Sequence, residues 1–529
     1  MDAAGEEGGI TYGQVEQCFH AMEGPSAQER INYIVPFLIS LLPPRLVPAP
    51  DDAGATDDSD DERFSLTSSS DSEVPEAGAD SATFPPAAPG DDEDHISRLP
   101  DALLSDIISR SRLPTKEAAR TVVLSTRWRD VWAATPLLVD EAHLVGADGP
   151  RDIPIVRAVS RCVAAHPGPV RSVRITRVSF YHHEYALRRL VVALAAKDVQ
   201  DLILFNRPWP LDMPLPDDIL RCASLERLYL GVWLFPKITA TRPLAFHKLR
   251  ELGLFHCIVR DEELDAVLGH CPKLEVLSLV MSFQSPSRLR VGSRSLQVAV
   301  EWMSTLDEIV LEDAPCLERL IFQTIAESRP IKIVRAPRLE VLGFLDLNLH
   351  TLEIGGTAIR AGMNVGARAM VPSLKILAVK VQFARNQEAK MLPTLLRCFP
   401  RLETLHIMPV LSKSNDSAHD LEFWESLGSC ECLESHLKTV VLHGHLMQNH
   451  GVGFKKYITR EGKALETVIV LCRDEMTRDL SSASLDERNV ALGGGRCDVS
   501  FCVVNSPWSF QNASDLALHD PFCVVRAEA

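Results

Sequence analysis

Five residues near the carboxyl end carry side chains able to bind a metal: Cys430, Cys432, His436, His443 and His445. Thiolate and imidazole suit zinc, but a structural site usually spaces its paired cysteines with two to four residues between them so that both sulfurs reach one tetrahedron. A single residue separates these cysteines, and the last two histidines alternate along an apolar run that has strand character. Strand and loop residues account for the group without a metal. Other chemistry fares no better: no Gly-x-Ser-x-Gly, no phosphate-cradling loop ending in Gly-Lys, no dinucleotide fingerprint and no His-Glu-x-x-His occurs. The sequence nominates no catalytic residue, no cofactor and no metal.

Association chemistry is a different matter. Around residue 100 the apolar side chains Leu99, Pro100, Leu103, Leu104, Ile107 and Ile108 recur at helical spacing. Pro100 suits a first helical turn, and Leu113-Pro114 stops the run and restarts it. Thr115 reads as an N-cap with Glu117 in the following turn, and Ala118, Ala119, Val122, Val123 and Leu124 carry a second helix. A third begins at Ser125 and holds Trp128 and Trp132. Three helices this short enclose a marginal core, which a partner surface would complete.

The run Leu99-Pro-Asp-Ala-Leu-Leu-Ser-Asp-Ile-Ile, then Leu113-Pro-Thr-Lys-Glu-Ala-Ala-Arg-Thr, then Val123-Leu-Ser-Thr-Arg-Trp-Arg-Asp-Val-Trp closely resembles the F-box of plant F-box proteins. In that family the second Leu-Pro follows the first after twelve residues; here Pro100 and Pro114 are fourteen apart. Two residues added inside a helix would turn the remainder by about 200 degrees. Placed in the connection at Ser109-Arg-Ser-Arg112, they lengthen a loop at a cost of tenths of a kcal/mol.

The resemblance implies a non-enzymatic subunit of a ubiquitin ligase that docks a Skp-type adaptor, and through it a cullin, while another surface binds an unknown protein substrate. Leu99, Pro100, Leu103, Leu104, Ile107, Ile108, Leu113 and Pro114 are then the expected adaptor contacts. Trp128 and Trp132 are expected to pack between the F-box and the repeats that succeed it. Paired Cys-x-x-Cys ligands of a RING and an activated thioester cysteine are not recognisable. The alternative is a repeat scaffold whose altered F-box does not engage the ligase.

Beyond residue 150 a phrase repeats: Leu225-Glu-Arg-Leu-Tyr-Leu, Leu249-Arg-Glu-Leu-Gly-Leu, Leu274-Glu-Val-Leu-Ser-Leu, a weaker Leu296-Gln-Val-Ala-Val, Leu317-Glu-Arg-Leu-Ile-Phe, Leu339-Glu-Val-Leu-Gly-Phe, Leu374-Lys-Ile-Leu-Ala-Val and Leu402-Glu-Thr-Leu-His-Ile. Successive first leucines stand 24, 25, 22, 21, 22, 35 and 28 residues apart, mostly within the leucine-rich-repeat period. Degenerate copies start at Val170 and Val199. Leucines one, four and six should face a shared core, with intervening residues such as Glu226 and Arg227 outside. The long interval over 348–371 implies an insertion, either a contact loop or a hairpin turned by Gly355, Gly356, Gly362 and Gly366. After the repeats, Cys432 to Leu471 reads as strand, helix and strand, resembles the FBD domain of plant F-box proteins, and would cover the last repeat's open edge. Trp508-Ser-Phe-Gln-Asn-Ala-Ser-Asp is similar to the tail of grass members.

The formal charge of −16 is concentrated: Asp51 to Asp94 holds fifteen acidic residues against Arg63 alone. The rest is nearly neutral and has no basic stripe, which argues against nucleic acid. That acidic stretch, rich in Ser, Pro and Gly, reads as a disordered linker, with Ser59 among acidic residues as a phosphorylation candidate or a simple solvated run. Two short helices precede it, one over Val15 to Met22 and one over Ile31 to Leu38. The apolar stretch Tyr33 to Leu42 is about half a bilayer span and reads as a buried or partner-bound helix, so no membrane is expected. The amino terminus does not read as a signal peptide, and thirteen scattered cysteines fit reduced thiols in cytoplasm or nucleus.

The fold expected is α/β: an N-terminal helical segment over 1–46, the acidic linker over 47–93 and a small all-helical F-box over 94–140. A curved leucine-rich-repeat solenoid with a parallel sheet follows over 141–410, then a loop over 411–431 and an α+β FBD-like unit over 432–529.

Overall fold

A computed structural model describes residues 27–46, 96, 98–110, 115–144, 152–207, 212–283, 285–323, 328–410, 421–443, 451–472, 498–503 and 510–522. Expectations for the helix over 15–22, the linker over 47–93 with Ser59, Leu113, Pro114, His445 and Trp508 fall outside these residues.

The repeats build one sheet of 14 strands. Its members are β1 (Leu137–Asp140), β2 (Val170–Ile175), β3 (Asp201–Phe205), β4 (Arg227–Gly231), β5 (Glu251–Phe255), β6 (Val276–Val280), β8 (Val298–Trp302), β10 (Arg319–Gln323), β12 (Val341–Asp346), β15 (Ile376–Val381), β16 (Thr404–Pro409), β17 (Thr439–His443), β18 (Thr467–Cys472) and β19 (Asp498–Val503). Every neighbouring pair runs parallel, so successive strands are joined by crossovers rather than by hairpins. A second sheet lies among those connections: β14 (Thr357–Ala358), β13 (His350–Ile354), β11 (Arg329–Ile333), β9 (Glu308–Leu311) and β7 (Arg288–Val291).

Interval length decides the form of each return. The 25- and 28-residue intervals hold the helices Asp261–His270 and Asn386–Cys398, whereas those of 21 and 22 return as β7, β9 and β11. A helix occupies about 10 Å sideways against about 4.8 Å for a strand, so the sheet curves and its helix-free face is concave. The insertion over 348–371 forms the antiparallel β13–β14 hairpin, turned by Gly355 and Gly356 at φ 55° and 77°.

The phrase leucines stack in register. Leu228 pairs Leu252, which pairs Leu277; the row continues through Ala299, Leu320, Leu342, Leu377 and Leu405 into Val440 and Val468. The sixth phrase position makes a parallel row, Leu230, Leu254, Leu279, then Glu301 and Phe322. Glu301 is the anomaly of the weak copy: a carboxylate in a leucine slot, fully buried and bound to Arg329 of β11 at 2.7 Å. Burial pushes its pKa up from the usual carboxylate value, against the pull of Arg329. Directly after β4, β5, β6 and β8 stand Val232, His256, Met281 and Met303 with φ between 51° and 62°, each donating its N–H to the carbonyl ending the next strand. For a β-branched residue such as Val232 that conformation is costly, and only the repeated ladder bond holds it.

Two boundaries differ from expectation. The sheet begins at β1, inside the range assigned to the F-box, because Leu137 and Val139 supply a further core row that matches no phrase. The 411–431 segment includes the helix Leu421–Ser426, whose buried Trp424 packs on Phe454 and Tyr457. As expected of a unit that covers the last repeat's open edge, β17 pairs with β16, and β18 and β19 carry the same sheet further.

Candidate functional site: the F-box surface and the concave face

The segment that resembles an F-box, called the F-box below, comprises the helices Asp101–Arg110, Thr115–Arg120 and Thr126–Ala134. Leu104, Ile108, Ala118 and Val131 form its small core, with Leu99, Trp128 and Trp132 packed against it. Residues on both sides of the two-residue insertion therefore meet in one core, and the first helix ends at Arg110 before the extra residues are used up. Ser125 caps the third helix through the Trp128 N–H at 3.4 Å, and Arg127 ties it back to Asp101 at 2.7 Å. Thr115, expected to be a cap, sends its hydroxyl to the Leu138 carbonyl instead.

This packing splits the expected adaptor stripe. Leu104 and Ile108 are 1% and 5% exposed, turned inward because a unit this small needs them as core; they are removed from the set of direct contacts. Leu103 and Ile107 are 49% and 50% exposed on the opposite side of the same helix, and Pro100 is exposed as well. The sequence pattern did not assign Val123 and Leu124 to the contact set, yet they are 87% and 66% exposed. Their position in the turn of 3-10 helix Thr121–Val123, rather than in a longer second helix, is what frees them. Of twelve large apolar residues exposed among the described residues, five lie between Ile96 and Leu124.

The F-box is fixed to the first repeats. Trp132 packs against both the F-box core and the repeat core and meets the His166 ring edge-on at 5.0 Å. His166 Nε2 is 2.9 Å from the Thr135 carbonyl oxygen, and Arg171 donates to Ser109 at 3.2 Å. Gly168 permits the approach, since a Cβ there would lie 2.3 Å from the Ala133 carbonyl oxygen. Trp128 belongs to the F-box core alone.

The concave face is also occupied. Alternate strand residues that point away from the leucine core, among them Phe205, Tyr229, Phe255, Val300, Ile321 and Ala378, form a second buried cluster. Two segments of the same chain cover it. One is the helix Ala27–Ser40 with its continuation, burying Ile34, Phe37, Leu38 and Leu42 in that cluster. The other spans 510–522 and buries Phe510, Ala513 and Phe522. A signal for this was available: the fifth phrase position reads Tyr229, Gly253, Ser278, Ile321, Gly343, Ala378 and His406, a set without a Lys, Arg, Asp or Glu that an open face would favour.

The candidate zinc residues are separated by function. Cys430 and Cys432 sulfurs lie 3.4 Å apart, and Cys432 also reaches the Leu396 carbonyl, while His443 sits on the concave side beside Phe344 and His406. Among the described residues no group of three or more His, Cys, Asp or Glu could hold a metal ion. His443 Nε2 is 3.0 Å from His406 Nδ1, and His406 Nε2 is 2.9 Å from Asp520. Burial, then the neighbouring His406, hold the His443 pKa well below the usual histidine value. Burial raises the Asp520 pKa, but His406, the Phe522 N–H and His443 together hold it below the usual carboxylate value.

Comparison with known proteins agrees with this architecture. Residues 187–407 match the family of leucine-rich repeats of FBD-associated F-box protein At5g56370, and residues 425–470 match the FBD family. The F-box/LRR-repeat protein At5g02910 of Arabidopsis thaliana is 26% identical over 432 residues, covering 73% of this chain and 89% of that protein. The putative FBD-associated F-box protein At1g55030 of the same plant is 22% identical over 424 residues, 75% and 96% of the two chains. The Arabidopsis F-box/FBD/LRR-repeat protein At3g26920 is 25% identical over 397 residues, 71% and 88%. With the stacked repeats and the strands joined to their edge, these matches make the chain similar to plant F-box, leucine-rich-repeat and FBD proteins over most of its length.

Proposed function

We propose that this protein is the substrate-recognition subunit of a Skp–cullin–F-box type ubiquitin ligase, acting in the cytoplasm or nucleus. Leu103 and Ile107, with Pro100, Val123 and Leu124, dock a Skp-type adaptor; the adaptor binds the cullin, which carries the catalytic subunit. The chain itself forms or breaks no bond. It raises the effective concentration of a substrate lysine beside the charged ubiquitin conjugate, and fixed geometry makes that transfer efficient. The rigid seat of the F-box on the first repeats suits this task, because cargo held by the solenoid then keeps one orientation toward the adaptor.

The observation that carries this proposal is the outward half of the stripe: two large aliphatic side chains about half exposed on a helix whose other face is fully used. Burying the exposed half of each under a partner is worth about 1 kcal/mol, and a carboxylate forced into the same contact costs several times more. Replacing Leu103 and Ile107 together by aspartate should lower adaptor affinity by about a hundredfold or more while leaving the fold intact. Undiminished capture of a purified Skp-type adaptor by the folded double variant rejects the assignment.

A further inference from the structure

The segment over 27–46 is held differently from the other occupant of the concave face. Residues 510–522 follow β19 after a short connection and are bound along their length. Phe510 meets Phe255 edge-on at 5.8 Å, Arg319 donates to the carbonyls of Asp515 and Leu518, Asp520 binds His406, and Phe522 lies 4.9 Å from the Phe344 ring. The N-terminal segment presents an apolar stripe, Ile34, Val35, Phe37, Leu38 and Leu42, to the face. Polar contacts tie its carboxyl end to the rest of the chain: Gln511 donates to the Leu42 carbonyl at 3.4 Å, Arg174 to the Pro43 carbonyl at 2.8 Å, and Arg45 pairs with Asp140 at 2.8 Å. Even there the fit is incomplete, since a cavity bounded by Pro43, Pro44, Asp140, Arg174, Arg227 and Tyr229 lies beneath it. The segment joins the F-box only through the 49 residues from 47 to 95.

An amphipathic helix seated by one stripe in an apolar groove, with a charge pair at its end, is the geometry of helix-in-groove recognition. We infer that the concave face over β3 to β6 is a binding site for an amphipathic helix, and that residues 27–46 are its tethered occupant. The cargo it fits is a protein helix with apolar residues at positions i, i+1, i+3 and i+4 that runs on into a non-helical continuation carrying an apolar residue at i+8 and, three residues later, an arginine or lysine for Asp140. Such a helix enters by displacing the tethered one, so the free chain guards its own groove. That the displacing helix belongs to a ligase substrate rests on the proposed adaptor function; the groove and its occupant do not.

A synthetic peptide spanning residues 27–46, fluorescein-labelled, tests this with the full chain and no ligase component. In the chain carrying Phe37→Asp and Leu38→Asp the resident helix is expelled, and the peptide should bind about tenfold or more tighter than to the native chain, where the groove is filled. Arg45→Ala in the peptide should weaken that binding several-fold. The variant should also keep its circular dichroism and its capture of the Skp-type adaptor. Failure of the folded variant to take up the peptide, or collapse of its fold, overturns the inference, the latter by making the helix an obligate part of the core. Peptide binding without adaptor capture leaves the groove standing and counts against the adaptor function instead.

Discussion

Replacing Arg329 by methionine should destabilise the repeats more than replacing both Arg329 and its partner. Glu301 occupies the sixth phrase position, between Leu279 and Phe322 in the row, and both members of the 2.7 Å ion pair are at most 1% exposed. Glu301 also accepts the Ser304 N–H at 2.8 Å. Arg329→Met strips the carboxylate of its counter-charge in a fully buried site, which costs about 3–5 kcal/mol. Glu301→Leu with Arg329→Met restores the leucine row, and a buried pair replaced by apolar side chains of similar volume is typically neutral or stabilising by about 1–4 kcal/mol. The double variant should thus recover all or most of the loss, a coupling read directly from a double-mutant cycle. Melting temperature and amide exchange of β8 and β10 are the measurements, exchange being preferred because repeat arrays do not unfold as one unit. The single variant carries a pH signature too. Its Glu301 pKa, already raised by burial, rises further once Arg329 is gone, so folding takes up a proton and the deficit shrinks as pH falls from about 8 toward about 5. A single variant as stable as the double, or a deficit that grows with acid, would refute the account of Glu301 as a carboxylate dependent on Arg329.

Two neighbouring leucines should behave oppositely. Leu104→Ala is expected to cost about 2–5 kcal/mol of F-box stability by opening a cavity, whereas Leu103→Ala should change stability by under about 0.5 kcal/mol and weaken adaptor binding; thermal melts paired with adaptor titrations check both. The clamp at 510–522 should loosen in acid. His443 faces His406, which faces Asp520, and its folded pKa lies well below the unfolded value of about 6.5, so its contribution is present above that pH and is lost as pH falls through it. Protection factors of the amides of residues 510–522, taken relative to intrinsic exchange at each pH, should fall between about pH 7.5 and pH 5.5, and His443→Phe should flatten the dependence.

The leucine row was legible in the sequence because its signal is periodic: Leu228, Leu252, Leu277, Leu320, Leu342, Leu377 and Leu405 each sit at the fourth place of one phrase and line up in sequence order, with Ala299 of the weak copy between Leu277 and Leu320. The interval lengths held the further distinction between helical and strand returns, although it emerges only once the strands are aligned. The FBD strands and the three F-box helices were legible as well, from local apolar patterning. Hydropathy could not divide the stripe near residue 100: Leu103 and Leu104 are the same side chain one residue apart, and a helix rotates successive residues by about 100 degrees. Which of them faces water depends on where Ala118 and Val131 arrive.

A repeating parallel-strand solenoid with an F-box before it is written in the chain itself, since short-range periodicity and turn residues encode both. Three features belong to the folded molecule alone: Glu301 meets Arg329, Leu104 turns inward, and residues 34–42 and 510–522 close over one concave face. Those contacts join groups up to hundreds of residues apart, such as Leu42 and Gln511, and long-range pairing of this kind leaves no period in the chain.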